Sequence, residues 1–482
     1  MQQRSRILGT ITVLTCLATT GLPWQAPAAA AATGCRTDSS DFDADGTPDV
    51  AVGIPGQSGK PGAVEVRLSN KGKPFTTTVH GPHGFGTAIT SLSSYEGPGD
   101  EALCSQLVVG SPEESLDPAL KRSGAIHVFY WDSANKGFVF RSIFGQPGED
   151  GSQSGARFGA ALAAEPRRAG QVTSRPGRLW VGSPGQDLWA GPDSGQVTSF
   201  WIDADQDTDI HDPRLTTLGE PWTDDPTPRA NLGASLSVGG GMVAMGMPGF
   251  PDQGKANAGA VLVEQAKPDP DAGDLFLDQT TRGVPGTSEK GDRFGASVHL
   301  VAGPTGSAPT LLVGTPGEDV GRKTDAGAVT VLRISPKTYE PIGTVRTVNQ
   351  DSAGMAGTAE RGDQFGTSVS SIRAGGKTRF LVGVPGEDVG RAKNAGMVQA
   401  IGTGKGWTQN SKRIPGHAET GDRMGASLGG SVDTGATRPL IGVPGENSNT
   451  GGVLIGLPVD GHRPTFLVGK RAGARYGFSV SP

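Results

Sequence analysis

The stretch DFDADGTPD, residues 41 to 49, carries Asp41, Asp43, Asp45 and Asp49 at positions 1, 3, 5 and 9, with Gly46 at position 6. That spacing lets a tight loop wrap hard carboxylate oxygens around a calcium ion, with Thr47 at position 7 supplying a backbone carbonyl. A helix-loop-helix calcium site would add a bidentate Glu at position 12. Here that place is Val52, inside an apolar run that reads as a strand, and no helical period flanks the loop. The expected metal set is therefore Asp41, Asp43, Asp45, Thr47 and Asp49 in a hairpin, holding Ca²⁺. A second acidic run, from Asp203 to Asp212, places Asp203, Asp205, Asp207 and Asp209 at alternate positions. It lacks the glycine that makes the sharp turn and reads as a solvated loop rather than a second metal site.

Catalytic patterns are sparse. Gly425-Ala426-Ser427-Leu428-Gly429 matches Gly-x-Ser-x-Gly, but that nucleophile motif needs a strand-turn-helix setting. Similar triplets recur at Gly295-Ala296-Ser297 and Gly366-Thr367-Ser368, which marks a structural slot. The seven histidines are scattered without metal-ligand spacing, so no catalytic residue is assigned. Acidic loops at Asp187, Glu318 and Asp319, Glu387 and Asp388, and Glu446 are expected to gather on one rim as solvated turns. The tripeptide Arg361-Gly362-Asp363 looks at first like an integrin ligand. Its siblings EKGDRFG at 289–295 and ETGDRMG at 419–425 make Arg361 one filling of a turn slot.

Two marks organise the chain. The first is Gly-x-Pro closing an apolar run, seven times, with glycines Gly53, Gly110, Gly182, Gly246, Gly314, Gly383 and Gly442. The second is a bulky residue followed by Gly, also seven times: Phe85, Phe158, Leu232, Phe294, Phe365, Met424 and Tyr476. Between them lie Val-rich and aromatic segments with strand-like alternation, as in GAIHVFYW and GAVTVLRI. With 77 Gly and 36 Pro in 482 residues, the composition suits strands joined by tight turns.

The order of the marks decides between a ring and a linear stack. Gly-x-Pro comes first without a bulky-Gly before it, and the chain ends on ARYGFSVSP, a bulky-Gly strand with no Gly-x-Pro after it. The two half-units complete each other if the last strand joins the first sheet, which removes an open edge. The expected fold is all-β: a seven-bladed β-propeller with four-stranded blades. Its composite closing blade comes from 35–80 plus 472–482, and further blades lie near 81–144, 145–222, 223–283, 284–348, 349–413 and 414–471.

These paired marks resemble FG-GAP repeats, the units of the propeller in integrin α subunits and in many secreted bacterial proteins. The resemblance covers essentially all of 33–482. It implies a calcium loop just before the second strand of a blade, where residues 41–49 fall, and a binding face on one rim.

Arg4 and Arg6, an apolar run from Ile7 to Leu22 and small residues from Ala26 to Thr33 read as an export signal over 1–32. Cys35 and Cys104 then form an even pair, fitting one disulfide or else two buried thiols. The formal net charge of −5, without a basic block, excludes a nucleic-acid footprint. The sequence-level expectation is a secreted or cell-surface monomer with no membrane span in the mature chain. It would act as a non-catalytic binding or adhesion module for an extracellular protein or glycan. Two alternatives stand beside it. One is a secreted hydrolase with acids at the channel, although the phospholipases that carry such repeats keep a separate catalytic domain. The other is a lectin-type propeller, although the tryptophans do not recur in register.

Overall fold

The computed structural model describes residues 39–481 apart from 57–58, 70–72, 94–104, 148–150, 168–176, 189–190, 203–209, 218–226, 268–272, 305–306, 431–437 and 460–462. The expected signal, both cysteines of the expected disulfide and the acidic positions Asp203 to Asp209 lie outside the described residues. Among the described residues, no helix is long and apolar enough to cross a membrane.

Seven antiparallel sheets of four strands form a ring. Blade 1 is composite: Val50–Ile54, Gly62–Leu68 and Phe75–Gly81 are joined by Val480–Ser481, whose register pairs Ala51 with Ser481 and Val52 with Val480. The other sheets are up-and-down meanders. Blade 2 runs from Ala88 to Phe144, blade 3 from Ala161 to Thr216 and blade 4 from Ser235 to Leu277. Blade 5 runs from Ser297 to Val348, blade 6 from Ser368 to Trp407 and blade 7 from Leu428 to Val468. The expected closure by the last strand is thus observed.

Second strands pack between two neighbouring sheets; Ser105–Ser111, Arg178–Ser183 and Met242–Met247 are buried throughout. Fourth strands are more exposed, as in Phe75–Gly81 and Pro341–Val348.

Both sequence marks act at the seams between blades. A Cβ on Gly314 would lie 2.0 Å from the carbonyl oxygen of Gly366 in the next blade. The same approach recurs at every seam, including the closing ones: 2.1 Å from Gly442 to Gly477 O and 2.2 Å from Gly53 to Gly86 O. Only glycine lets these backbones touch. The bulky residue beside the second glycine is the wedge: Phe85, Phe158, Leu232, Phe294, Phe365 and Met424 are fully buried, and Tyr476 is 2% exposed. A hydroxyl completes the seam. Ser235, Ser297, Ser368, Ser427 and Ser479 donate from Oγ to the carbonyls of Gly295, Gly366, Gly425, Gly477 and Gly86 at 2.7 to 2.9 Å. Ser427 is therefore a seam residue, as its siblings are.

Candidate metal centre

The loop that precedes blade 1 is shaped by its own aspartates. Asp41 accepts from the N–H of Gly46 (2.8 Å) and of Asp45 (3.1 Å), which curls the chain back on itself. Gly46, at φ +89°, and Ala44, at φ +56°, take the left-handed turns that this curl needs. Asp49 ties the loop to the sheet, accepting from Phe42 N–H and Ser69 N–H, each at 2.8 Å. Phe42 is fully buried and packs edge-on against Phe138 of blade 2 at 5.5 Å between ring centroids. The loop is thus anchored to two blades.

Asp41, Asp43 and Asp49 each offer a carboxylate oxygen within 4.8 Å of the other two. Oxygens bound to one calcium ion at about 2.4 Å can be at most about 4.8 Å apart, so the three fit a single hard cation. Asp41 and Asp49 are each 1% exposed. Burial pushes Asp41 up to about 7 and Asp49 up to about 8, with the neighbouring aspartates adding to both; Asp43 is raised by the same causes. Two dehydrated carboxylates and a third beside them make an all-oxygen donor set that a dication would hold ionised.

Of the four expected carboxylate ligands, the structure groups Asp41, Asp43 and Asp49. Asp45 lies outside the group of three: its carboxylate accepts from Ser69 Oγ at 2.9 Å and from Thr47 N–H at 2.9 Å. Ser69 Oγ also lies 3.4 Å from Thr47 O. Ser69 is the residue that the sequence did not point to. It sits 20 residues beyond Asp49 and reaches the loop only because Gly62–Leu68 pairs back along Val50–Ile54.

The acidic rim is corrected in part. Asp187, Asp319 and Asp388 stay in turns, accepting from the N–H of Asp193, Asp325 and Asn394. Glu446, however, is only 5% exposed, and Glu318 and Glu387 are half-buried and hydrogen-bonded to glutamine amides at 2.6 Å. These three glutamates face inward because the glycine before each packs directly on the turn leading into the same blade. Asp363 of the Arg-Gly-Asp tripeptide is 1% exposed and accepts from Glu360 N–H, which keeps it from any receptor and agrees with the turn-slot reading. Asp212, the last residue of the second acidic run, pairs with buried Arg178 at 3.2 Å. Arg178 also stacks on the ring of Trp201 at 4.5 Å.

The first strands of the blades line an axial cavity of about 240 Å³ bordered by Thr90, Ser91, Ser237, His299, Ser370 and Ser481. His299 Nε2 lies 2.8 Å from Ser371 Oγ, and burial lowers its pKa to about 4, so the ring is neutral near pH 7. Ser371 is fully buried behind it and bonds within the wall.

No family model matches the chain, and no curated protein matches it. Among solved structures, it is similar to a protein from Bacteroides fragilis provisionally described as a 6-phosphogluconolactonase. The identity is 11% and the TM-score 0.46, over 90% of this chain and 97% of that one. A likeness at that level transfers neither substrate nor activity. The expectation of a non-catalytic adhesion module is nevertheless corrected here. No family model and no curated protein matches to support an adhesion role, and the fold by itself assigns none.

Proposed function

We propose that this protein is an exported, calcium-binding β-propeller of the FG-GAP type, in which the ion holds the ring closed at its composite blade. The observation that carries this reading is the convergence of Asp41, Asp43 and Asp49 within 4.8 Å, two of them fully buried. The loop lies directly before Val50–Ile54, the strand that receives Val480–Ser481 from the far end of the chain. When bound, the ion would neutralise carboxylates that otherwise take up protons. Asp49 would then fix Phe42 and Ser69, and with them the contact between blades 1 and 2.

The test is calcium titration of the mature protein by calorimetry, beside the Asp41→Asn/Asp49→Asn variant. One ion per chain, lost in the variant together with the calcium-dependent rise in melting temperature, supports the proposal. Equal melting with calcium and with chelator refutes it.

A further inference from the structure

The ring closes between blades 7 and 1, and that seam is built differently from the three before it. In blades 5, 6 and 7 the connection from the preceding fourth strand to the wedge spans 278–293, 349–364 and 408–423. The closing connection spans only 469–475, between Val468 and Tyr476. The longer connections fill their seams: Gln279, Gln350 and Gln409 reach from them to Glu318, Glu387 and Glu446, beside the Gly-x-Pro of the blade they enter. Residues 469–475 carry no glutamine, and the corresponding place holds a cavity of about 380 Å³.

The walls of this cavity come from both ends of the chain. Blade 1 contributes Lys60, Glu65 and Thr78, and the closing connection contributes Lys470 and Arg471. Pro61, Ala63 and Ala474 supply apolar wall between them. Two glycines hold the walls in place. A Cβ on Gly56 would lie 2.3 Å from Lys60 O, and one on Gly469 would lie 2.6 Å from Thr450 O and 2.7 Å from Tyr476 Cβ. Backbone packed this closely presets the cavity, which lowers the cost of binding.

Tyr476 is the one wedge of the seven with a hydroxyl. It is 2% exposed and donates to Glu65 Oε1 at 2.7 Å. Among the described residues Glu65 Oε2 has no partner, so this half-buried carboxylate keeps one oxygen to accept from a ligand. Lys60, Lys470 and Arg471 are exposed and have no carboxylate partner among the described residues. Three cations against one carboxylate favour an anion. Glu65 Oε2 and the Thr78 hydroxyl favour one that also carries hydroxyls.

We propose that this cavity binds a small cyclic hydroxycarboxylate, its carboxylate held by Lys60, Lys470 and Arg471 and its hydroxyls by Glu65 Oε2 and Thr78 Oγ1. A volume near the lower end of ligand pockets suits a molecule of one ring, whose apolar faces fit Pro61, Ala63 and Ala474. Because one wall belongs to blade 1 and the other to the connection from blade 7, the site exists only in the closed ring. A molecule bound there fastens the closure. None of these residues belongs to the calcium loop.

The experiment titrates calcium-saturated protein at pH 7 with quinate by calorimetry and follows melting at the same concentrations. Cyclohexanecarboxylate, which has the charge without the hydroxyls, and inositol, which has hydroxyls without the charge, are run beside it. Quinate should bind and raise the melting temperature. Each half-ligand should bind about tenfold more weakly or worse, the worth of one hydrogen bond to a charged group. Lys470→Ala/Arg471→Ala should lower quinate affinity by about tenfold or more and leave unliganded melting unchanged, since both side chains are exposed. Glu65→Gln keeps an acceptor for Tyr476 but gives up the charged Oε2, so it should weaken quinate several-fold without weakening cyclohexanecarboxylate. No quinate binding at millimolar concentration, equal binding of quinate and cyclohexanecarboxylate, or equal quinate affinity in wild type and Lys470→Ala/Arg471→Ala overturns the proposal. Calcium affinity should be the same in wild type and both variants, and a change there would refute a site separate from the calcium loop.

Discussion

Replacing Gly314 by Ala puts a methyl group into the closest backbone contact of the blade 5 to blade 6 seam. Its Cβ would lie 2.0 Å from Gly366 O, 2.2 Å from Ser297 Oγ and 3.0 Å from the Gly366 carbonyl carbon. The carbonyl has to retreat by about an ångström to reach an ordinary contact, and overpacking of this kind costs about 1–3 kcal/mol. The same carbonyl accepts from Ser297 Oγ at 2.8 Å, so the retreat also weakens a hydrogen bond that contributes about 1 kcal/mol. The sum is about 2–4 kcal/mol. With an unfolding entropy of about 2 cal/mol/K per residue over roughly 440 residues, cooperative melting would fall by about 2–4 °C, and by more if blades 5 and 6 open alone. Calorimetry of calcium-saturated protein should show this beside a Gly137→Ala control, where the nearest atom to a new Cβ is 4.0 Å away. If Gly314→Ala melts with the control, the seam glycines are not held by contact, and the account of both sequence marks fails.

Chelation should lower the melting temperature of wild type and leave the Asp41→Asn/Asp49→Asn variant unmoved, as read by thermal denaturation with and without EDTA. Ser69→Ala removes the hydroxyl that holds Asp45 outside the group of three, so calcium affinity in titration calorimetry should not fall while the fold is kept; a fall of about tenfold or more would make Ser69 a support of the site. Glu264, raised by burial and by Asp274 to about 7, should contribute stability at pH 4 that is lost on the way to pH 7. Glu264→Gln should flatten that part of the stability curve, and an unchanged curve in denaturant titrations would remove Glu264 from the account.

The ring and its closure were legible in the sequence because each seam has the same steric demand. A glycine must touch a glycine, and a wedge must fill the space beside it, so the demand repeats seven times in register. The cluster of three carboxylates was legible for a different reason: Asp41, Asp43 and Asp49 are close in the chain, and local spacing brings them together. The spacing did not show that the Asp45 carboxylate would accept from the hydroxyl of Ser69, which arrives from the next strand. Adhesion as a role came from resemblance, which carries architecture further than it carries activity.

The periodic marks determined the number of blades and the composite closure, because those follow from backbone contacts that recur at fixed intervals. Tertiary structure alone decided which acids face solvent and which turn inward. Glu318 and Asp319 are neighbours in the chain with the same charge, yet Glu318 turns inward and accepts from Gln279 while Asp319 caps an outer turn. The direction of Glu318 follows from the packing of Gly317 on the turn at Gly291 and Asp292, a contact between segments distant in the chain that local sequence does not show.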